Sequence, residues 1–151
     1  MMRMLFAILV VLLGSAAARA QGPVEVTADG FVVDQAAALA TFTGNVVVVR
    51  ADLTVWADKL VVEYADKNLS TIQNMVATGK VRLKTATQDA TGDRAVFDPR
   101  TQILRLNGNV QVINASGTVN GPELLVNLET DTTTFTSSGG NRVTGVFTPN
   151  D

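Results

Sequence analysis

Cysteine and histidine are both absent from this 151-residue sequence, and only 17% of its residues carry a charge. Without Cys there is no disulfide framework, no thiolate zinc site and no cysteine nucleophile. Without His there is no Ser-His or Cys-His pair, no imidazole metal ligand and no switch near neutral pH. Basic residues are few as well: a net charge of −2 lacks the positive footprint that nucleic-acid binding requires. No Gly-rich loop leads into Lys-Ser or Lys-Thr, so there is no cradle for a nucleotide phosphate, and no cofactor or metal is expected. What remains is a chain 46% apolar, rich in Val and Thr, of a size that suits one compact domain.

The first twenty residues read as an address. Met1–Arg3 is a short basic start, Met4–Leu13 is an apolar run, and Ala18-Arg19-Ala20 supplies the small-x-small pattern of a signal-peptidase site. As a helix the run rises about 15 Å, half of a bilayer core of about 30 Å, so it is too short for a stable span. Cleavage after Ala20 leaves a single domain over residues 21–151 and, with Arg3 and Arg19 gone, a more acidic protein. No Cys follows the site to carry a lipid anchor.

Beyond that segment the chain reads as strands throughout. Val and Thr favour the pleated strand surface. Period-two alternation recurs in Phe42-x-Gly44-x-Val46-x-Val48, in Leu104-x-Leu106-x-Gly108-x-Val110-x-Val112 and in Leu124-x-Val126-x-Leu128. The best helical stretch, Asp34–Ala40, is too short to stand unaided and is expected to be a turn. A repeat organises the strands. An apolar-x-Gly-x-apolar-x-apolar unit surrounds Gly44, Gly79 and Gly108, and the same 14-residue interval leads from these to Asp58, Asp93 and Pro122.

At each of these turn pairs the alternation changes parity: Leu53, Val55 and Ala57 are odd-numbered, Leu60, Val62 and Tyr64 even-numbered. One extra residue slips in, as in a bulge or sharp corner. A strand bent there keeps its apolar side inward while passing from one sheet to the other. The expected fold is therefore all-β: two facing antiparallel sheets in a jelly-roll-like stack of strand-corner-strand repeats. Its inward face holds Val24 and Val26; Phe42, Val46 and Val48; Leu53, Val55, Leu60 and Val62; Leu83 and Phe97; Leu104, Leu106, Val110 and Val112; Leu124 and Val126. No charge is expected on that face. Trp56 falls out of phase, on the outer face, and Lys80, Arg82 and Lys84 form an exposed strand stripe opposite Val81 and Leu83.

The run Ala40-Thr41-Phe42-Thr43-Gly44-Asn45-Val46-Val47-Val48, followed by Val55-Trp56-Ala57-Asp58-Lys59-Leu60-Val61-Val62, resembles the LptA (OstA) family. So do Leu106-Asn107-Gly108-Asn109-Val110 and Arg142-Val143-Thr144-Gly145-Val146-Phe147-Thr148-Pro149, in the same order and over essentially all of 24–149. The resemblance implies a twisted, open β-jellyroll, located in the periplasm, that carries lipopolysaccharide from the inner to the outer membrane. It makes the inward face a groove for acyl chains, with Val24, Val26 and Phe97 as foremost lipid contacts. It also implies head-to-tail stacking and docking to related jellyrolls of inner- and outer-membrane components. The strands at Val24–Ala28 and Arg142–Thr148 would then form opposite ends of the stack, their backbone groups open to pairing.

Two other readings were open to the residues alone. Asp58 and Asp93 could pair as glycosidase carboxylates, but their third equivalent is Pro122; a role that Pro can fill is structural, so no enzyme is expected. A structural or adhesive β-domain with a closed core and no lipid cargo would carry the same alternation.

Overall fold

A computed structural model describes residues 23–51, 53–137 and 140–149. The signal segment expected over residues 1–20 lies outside them. The strands are β1 (Glu25–Thr27), β2 (Gly30–Asp34), β3 (Leu39–Arg50), β4 (Leu53–Tyr64), β5 (Ile72–Lys84), β6 (Gln88–Asp98), β7 (Ile103–Asn114), β8 (Gly117–Asn127), β9 (Thr132–Thr136) and β10 (Thr144–Phe147). No helix occurs among the described residues. The stretch after β2 is a turn, as expected: the Asp34 carboxylate accepts from the Ala37 N–H at 3.1 Å, and Ala38 N–H donates to Gln35 C=O. Elsewhere the hairpin ends are tied by short polar side chains. Asp66 accepts from the backbone N–H groups of Asn68 and Ser70, and Asp98 accepts from that of Arg100.

All pairings are antiparallel, and the strands form one hydrogen-bonded sheet in the order β1-β3-β4-β5-β6-β7-β8-β10, with β2 also on β3 and β9 also on β8. The two facing layers are halves of this sheet, because each of the six long strands bends at its middle. Register breaks fall where the parity changes. On β3, Gly44-Asn45 is set against Asp58 of β4; on β5, Gly79-Lys80 against Asp93 of β6; on β7, Gly108-Asn109 against Pro122 of β8. Two residues thus oppose one, which kinks the strand and sharpens its twist.

The corner explains both its Gly and its Asp. Gly79 and Gly108 have φ of 87° and 83°, a left-handed conformation that only Gly adopts without penalty. A Cβ on Gly79 would stand 2.5 Å from Asp58 Oδ2, and one on Gly108 2.5 Å from Asp93 Oδ2. Each Gly therefore lets the backbone lie directly on the carboxylate of the preceding strand. At Gly44 and Gly108 the following Asn closes the corner: Asn45 Nδ2 donates to Asp29 at 2.9 Å and Asn109 Nδ2 to Asp93 at 3.1 Å.

Bending puts the apolar positions of both halves face to face. In the first layer one continuous cross-strand row reads Phe31, Phe42, Leu60, Ala77, Ala95, Leu106, Leu124 and Phe135. In the second layer the facing row is Val26, Val48, Val55, Leu83, Ala90, Val112 and Val119. The most deeply buried large side chains, Leu106, Leu124, Val46, Val81 and Val110, come from both layers. Edges β1 and β2 end the sheet on one side, β9 and β10 on the other.

The corner is the point at which a single methyl group should do most harm. Gly79→Ala should lower stability by about 1–3 kcal/mol, read as a lower urea midpoint. Gly140→Ala, which has φ of 88° but no neighbour within 4 Å of the added carbon, should cost less.

Candidate functional site

The interior is not filled evenly, and side-chain volume along the first-layer row shows why. On β7 and β8 the row presents Leu106 and Leu124, each 1% exposed and packed into the core. On β5 and β6 it presents Ala77 and Ala95, whose methyl groups reach less far toward the opposite layer than a leucine would. A slot opens there between the layers. Its first-layer wall is Leu60, Met75, Ala77, Ala95, Phe97 and Leu104; its second-layer wall is Val46, Val48, Leu53, Val55 and Ala57. Val24 and Leu128 stand at its ends. The space amounts to about 70 Å³.

One lining residue is charged. Val46, Val48 and Arg50 alternate on β3, so Arg50 points inward, against the expectation of an uncharged inner face. It stands at the free margin of the second layer, far from the corner, and crosses to the free margin of the first. Its Nη2 donates to Gln102 Oε1 at 3.0 Å, and its guanidinium carbon lies 5.8 Å from the centroid of the Phe97 ring, a cation–π distance. Gln102 is itself oriented, since its Nε2 donates to Pro99 C=O at 2.8 Å.

Beyond this bridge the space between the margins continues. A second opening of about 440 Å³, bounded by Leu83 and Ala90 on one side and Leu124 and Val126 on the other, has a more polar rim that includes Thr85, Gln88 and Asp131. Arg50, Leu53, Leu104 and Leu128 border both spaces and form the partition between them.

The expected groove residues therefore fall into three groups. Val24, Val46, Val48, Val55, Leu60 and Phe97 border the slot. Leu83, Leu124 and Val126 border the second opening. Val62, Leu106, Val110 and Val112 are buried among core side chains, and Val26 and Phe42 pack half-buried against that core. Phe42 is stacked at 4.5 Å on Phe31. Sequence reading placed Ala57, Ala77 and Ala95 in the repeat but did not name them as groove residues; their signal is their smallness in a row of large residues. It also passed over Arg50, which two more steps of the alternation from Val46 would have placed inward.

On the outer face of the second layer Trp56 is not alone. Arg82, its cross-strand partner, covers the indole at 5.1 Å and pairs with Asp89 through two hydrogen bonds of 3.0 and 2.6 Å. Lys80 and Lys84 are exposed beside them. Hydrogen bonding to Arg82 holds the Asp89 carboxyl below the usual carboxylate range, against a smaller opposing effect of burial.

A bent antiparallel sheet with a partly unfilled apolar interior defines an open β-jellyroll. The chain belongs to the family described as LptA/(LptD N-terminal domain) LPS transport protein, whose model matches residues 25–132. Members of that family are transport components and not enzymes. Among solved structures it is similar to LptH from Pseudomonas aeruginosa, described as the LptA homologous periplasmic component of the conserved lipopolysaccharide transport device. The two share 15% identity with a TM-score of 0.73 over 85% of this chain and 96% of that one, which is a likeness of fold. No curated protein sequence matches the chain significantly.

The Arg82–Asp89 pair gives a signed pH effect. A carboxyl held below its unfolded value stabilises the fold above the ordinary carboxylate range and ceases to do so as pH falls through the folded value. Asp89→Asn should lower the urea midpoint slightly at pH 7, as befits an exposed pair. The midpoints of the two proteins should converge in acid.

Proposed function

We propose that this protein holds the acyl chains of lipopolysaccharide between its two layers and serves as a bridge across the periplasm, from the inner to the outer membrane. The observation that carries this reading is the slot over Ala77 and Ala95. Its walls are apolar except at Arg50, and apolar burial contributes roughly 25 cal/mol per Å² without fixing the register of a hydrocarbon chain. A chain held that way can slide along the walls. Membership of an LPS transport family supports the cargo class, and the likeness to a periplasmic component supports the setting.

In this reading the protein stacks head to tail with copies of itself and with related jellyrolls of the inner- and outer-membrane components. β1 and β10 are edge strands at opposite ends of the sheet, and Val146 and Phe147 of β10 are each 62% exposed. Edges of that kind template pairing with a further strand. The alternative, a structural or adhesive domain with a closed core, describes the packing around Leu106 and Val110 well, but it leaves the space over β5 and β6 without a purpose.

Two measurements test the proposal. A photocrosslinker at Val48 or Phe97 should capture lipopolysaccharide in cells, and one at outward-facing Val49 should not; equal capture, or none, contradicts the slot as the site. The mass found by light scattering should rise with protein concentration, and a strict monomer at high concentration contradicts end-to-end stacking.

A further inference from the structure

The slot and the second opening meet at a partition that contains a cation, and a cation is an expensive choice for a surface meant only to be oily. Among the described residues no carboxylate lies within ion-pair distance of Arg50. Its polar partner is the neutral Oε1 of Gln102, and Phe97 covers one face of the guanidinium. A guanidinium bonds more strongly to an oxyanion than to a neutral amide, and in a forked geometry. The bond to Gln102 is thus one that an incoming acid can displace. It is also the hydrogen bond that ties the two free margins together beside the slot.

We propose that Arg50 is an anion-recognising clasp: it holds the layer margins together through Gln102 and exchanges that partner for the acidic headgroup of an acylated lipid. Entry of the acyl chain parts the margins, and the released guanidinium meets the acid at the lip. The partition opens in the same movement, so that the slot and the second opening become one trough. This inference rests on the reading of the slot as an acyl-chain site and adds the headgroup chemistry that the site prefers.

The test uses probes that share one chain: dodecyl phosphate, dodecanol, and inorganic phosphate as the free anion, each titrated into the protein from residue 21 onward. Wild type should bind dodecyl phosphate about tenfold more tightly than dodecanol, the order expected of a hydrogen bond to a charged group. Inorganic phosphate should neither bind comparably nor displace the amphiphile. Arg50→Gln should abolish the preference while keeping dodecanol binding, and Arg50→Lys should restore part of it. Gln102→Ala, which removes the internal competitor, should tighten binding of both amphiphiles and leave their ratio intact. An undiminished preference in Arg50→Gln, or weaker binding in Gln102→Ala, overturns the clasp and leaves the slot standing. Effective competition by inorganic phosphate assigns Arg50 to a free anion and overturns the lipid headgroup. Wild type that binds neither amphiphile overturns the slot and the clasp together.

Discussion

Everything in this molecule depends on the close seating of a left-handed glycine on the carboxylate of an earlier aspartate. That contact fixes where each long strand bends, and repetition at Gly44, Gly79 and Gly108 lines the bends up across the sheet. A flat sheet of these strands would leave its apolar row in water. Bent along a common line, the same sheet covers that row with its own other half. The buried area then stabilises the fold by the ordinary hydrophobic term, and hydrogen bonding stays continuous through most of each strand. Among the described residues, no backbone hydrogen bond joins the margins opposite the corner, so the interior is reachable from that side.

What happens between the layers is decided by volume. Where the first layer carries Leu106 the interior is filled, where it carries Ala77 and Ala95 it is open, and Leu124 packs into the core while bordering the second opening. Close packing is the norm in protein interiors, and an unfilled apolar space forfeits dispersion contacts along its whole lining. A chain that accepts such a loss on two adjacent strands, while packing the neighbouring pair tightly, is suited to taking up hydrocarbon from elsewhere. The closed half gives stability, and the open half gives a site with two walls that can part. Arg50 stands where the two regimes meet at the margin.

Much of this was legible in the sequence, for local reasons. The corner shows as a change of parity between Ala57 and Leu60, and the all-β fold shows in Val- and Thr-rich alternation, because both are properties of a single strand. The outward position of Trp56 follows from the same counting, as does the turn after Asp34. The slot does not, because it arises from which residues of different strands lie side by side. Ala77 and Ala95 are separated by a hairpin and become neighbours only through the register of β5 on β6. Arg50 lies on the inward phase of β3, yet its role depends on reaching Gln102, 52 residues further along the chain. Alternation assigns a face to Leu106 and to Phe97 alike, and cannot say that one is sealed in the core while the other borders an opening.

The central claim is that hydrocarbon occupies the space over β5 and β6. Nuclear Overhauser contacts between the acyl protons of a bound lipid and isotope-labelled alanine methyl groups measure this directly. The account predicts contacts to Ala77 and Ala95 and none to the exposed Ala65 and Ala115. Contacts confined to the exposed alanines, or a bound lipid that touches neither Ala77 nor Ala95, would contradict it.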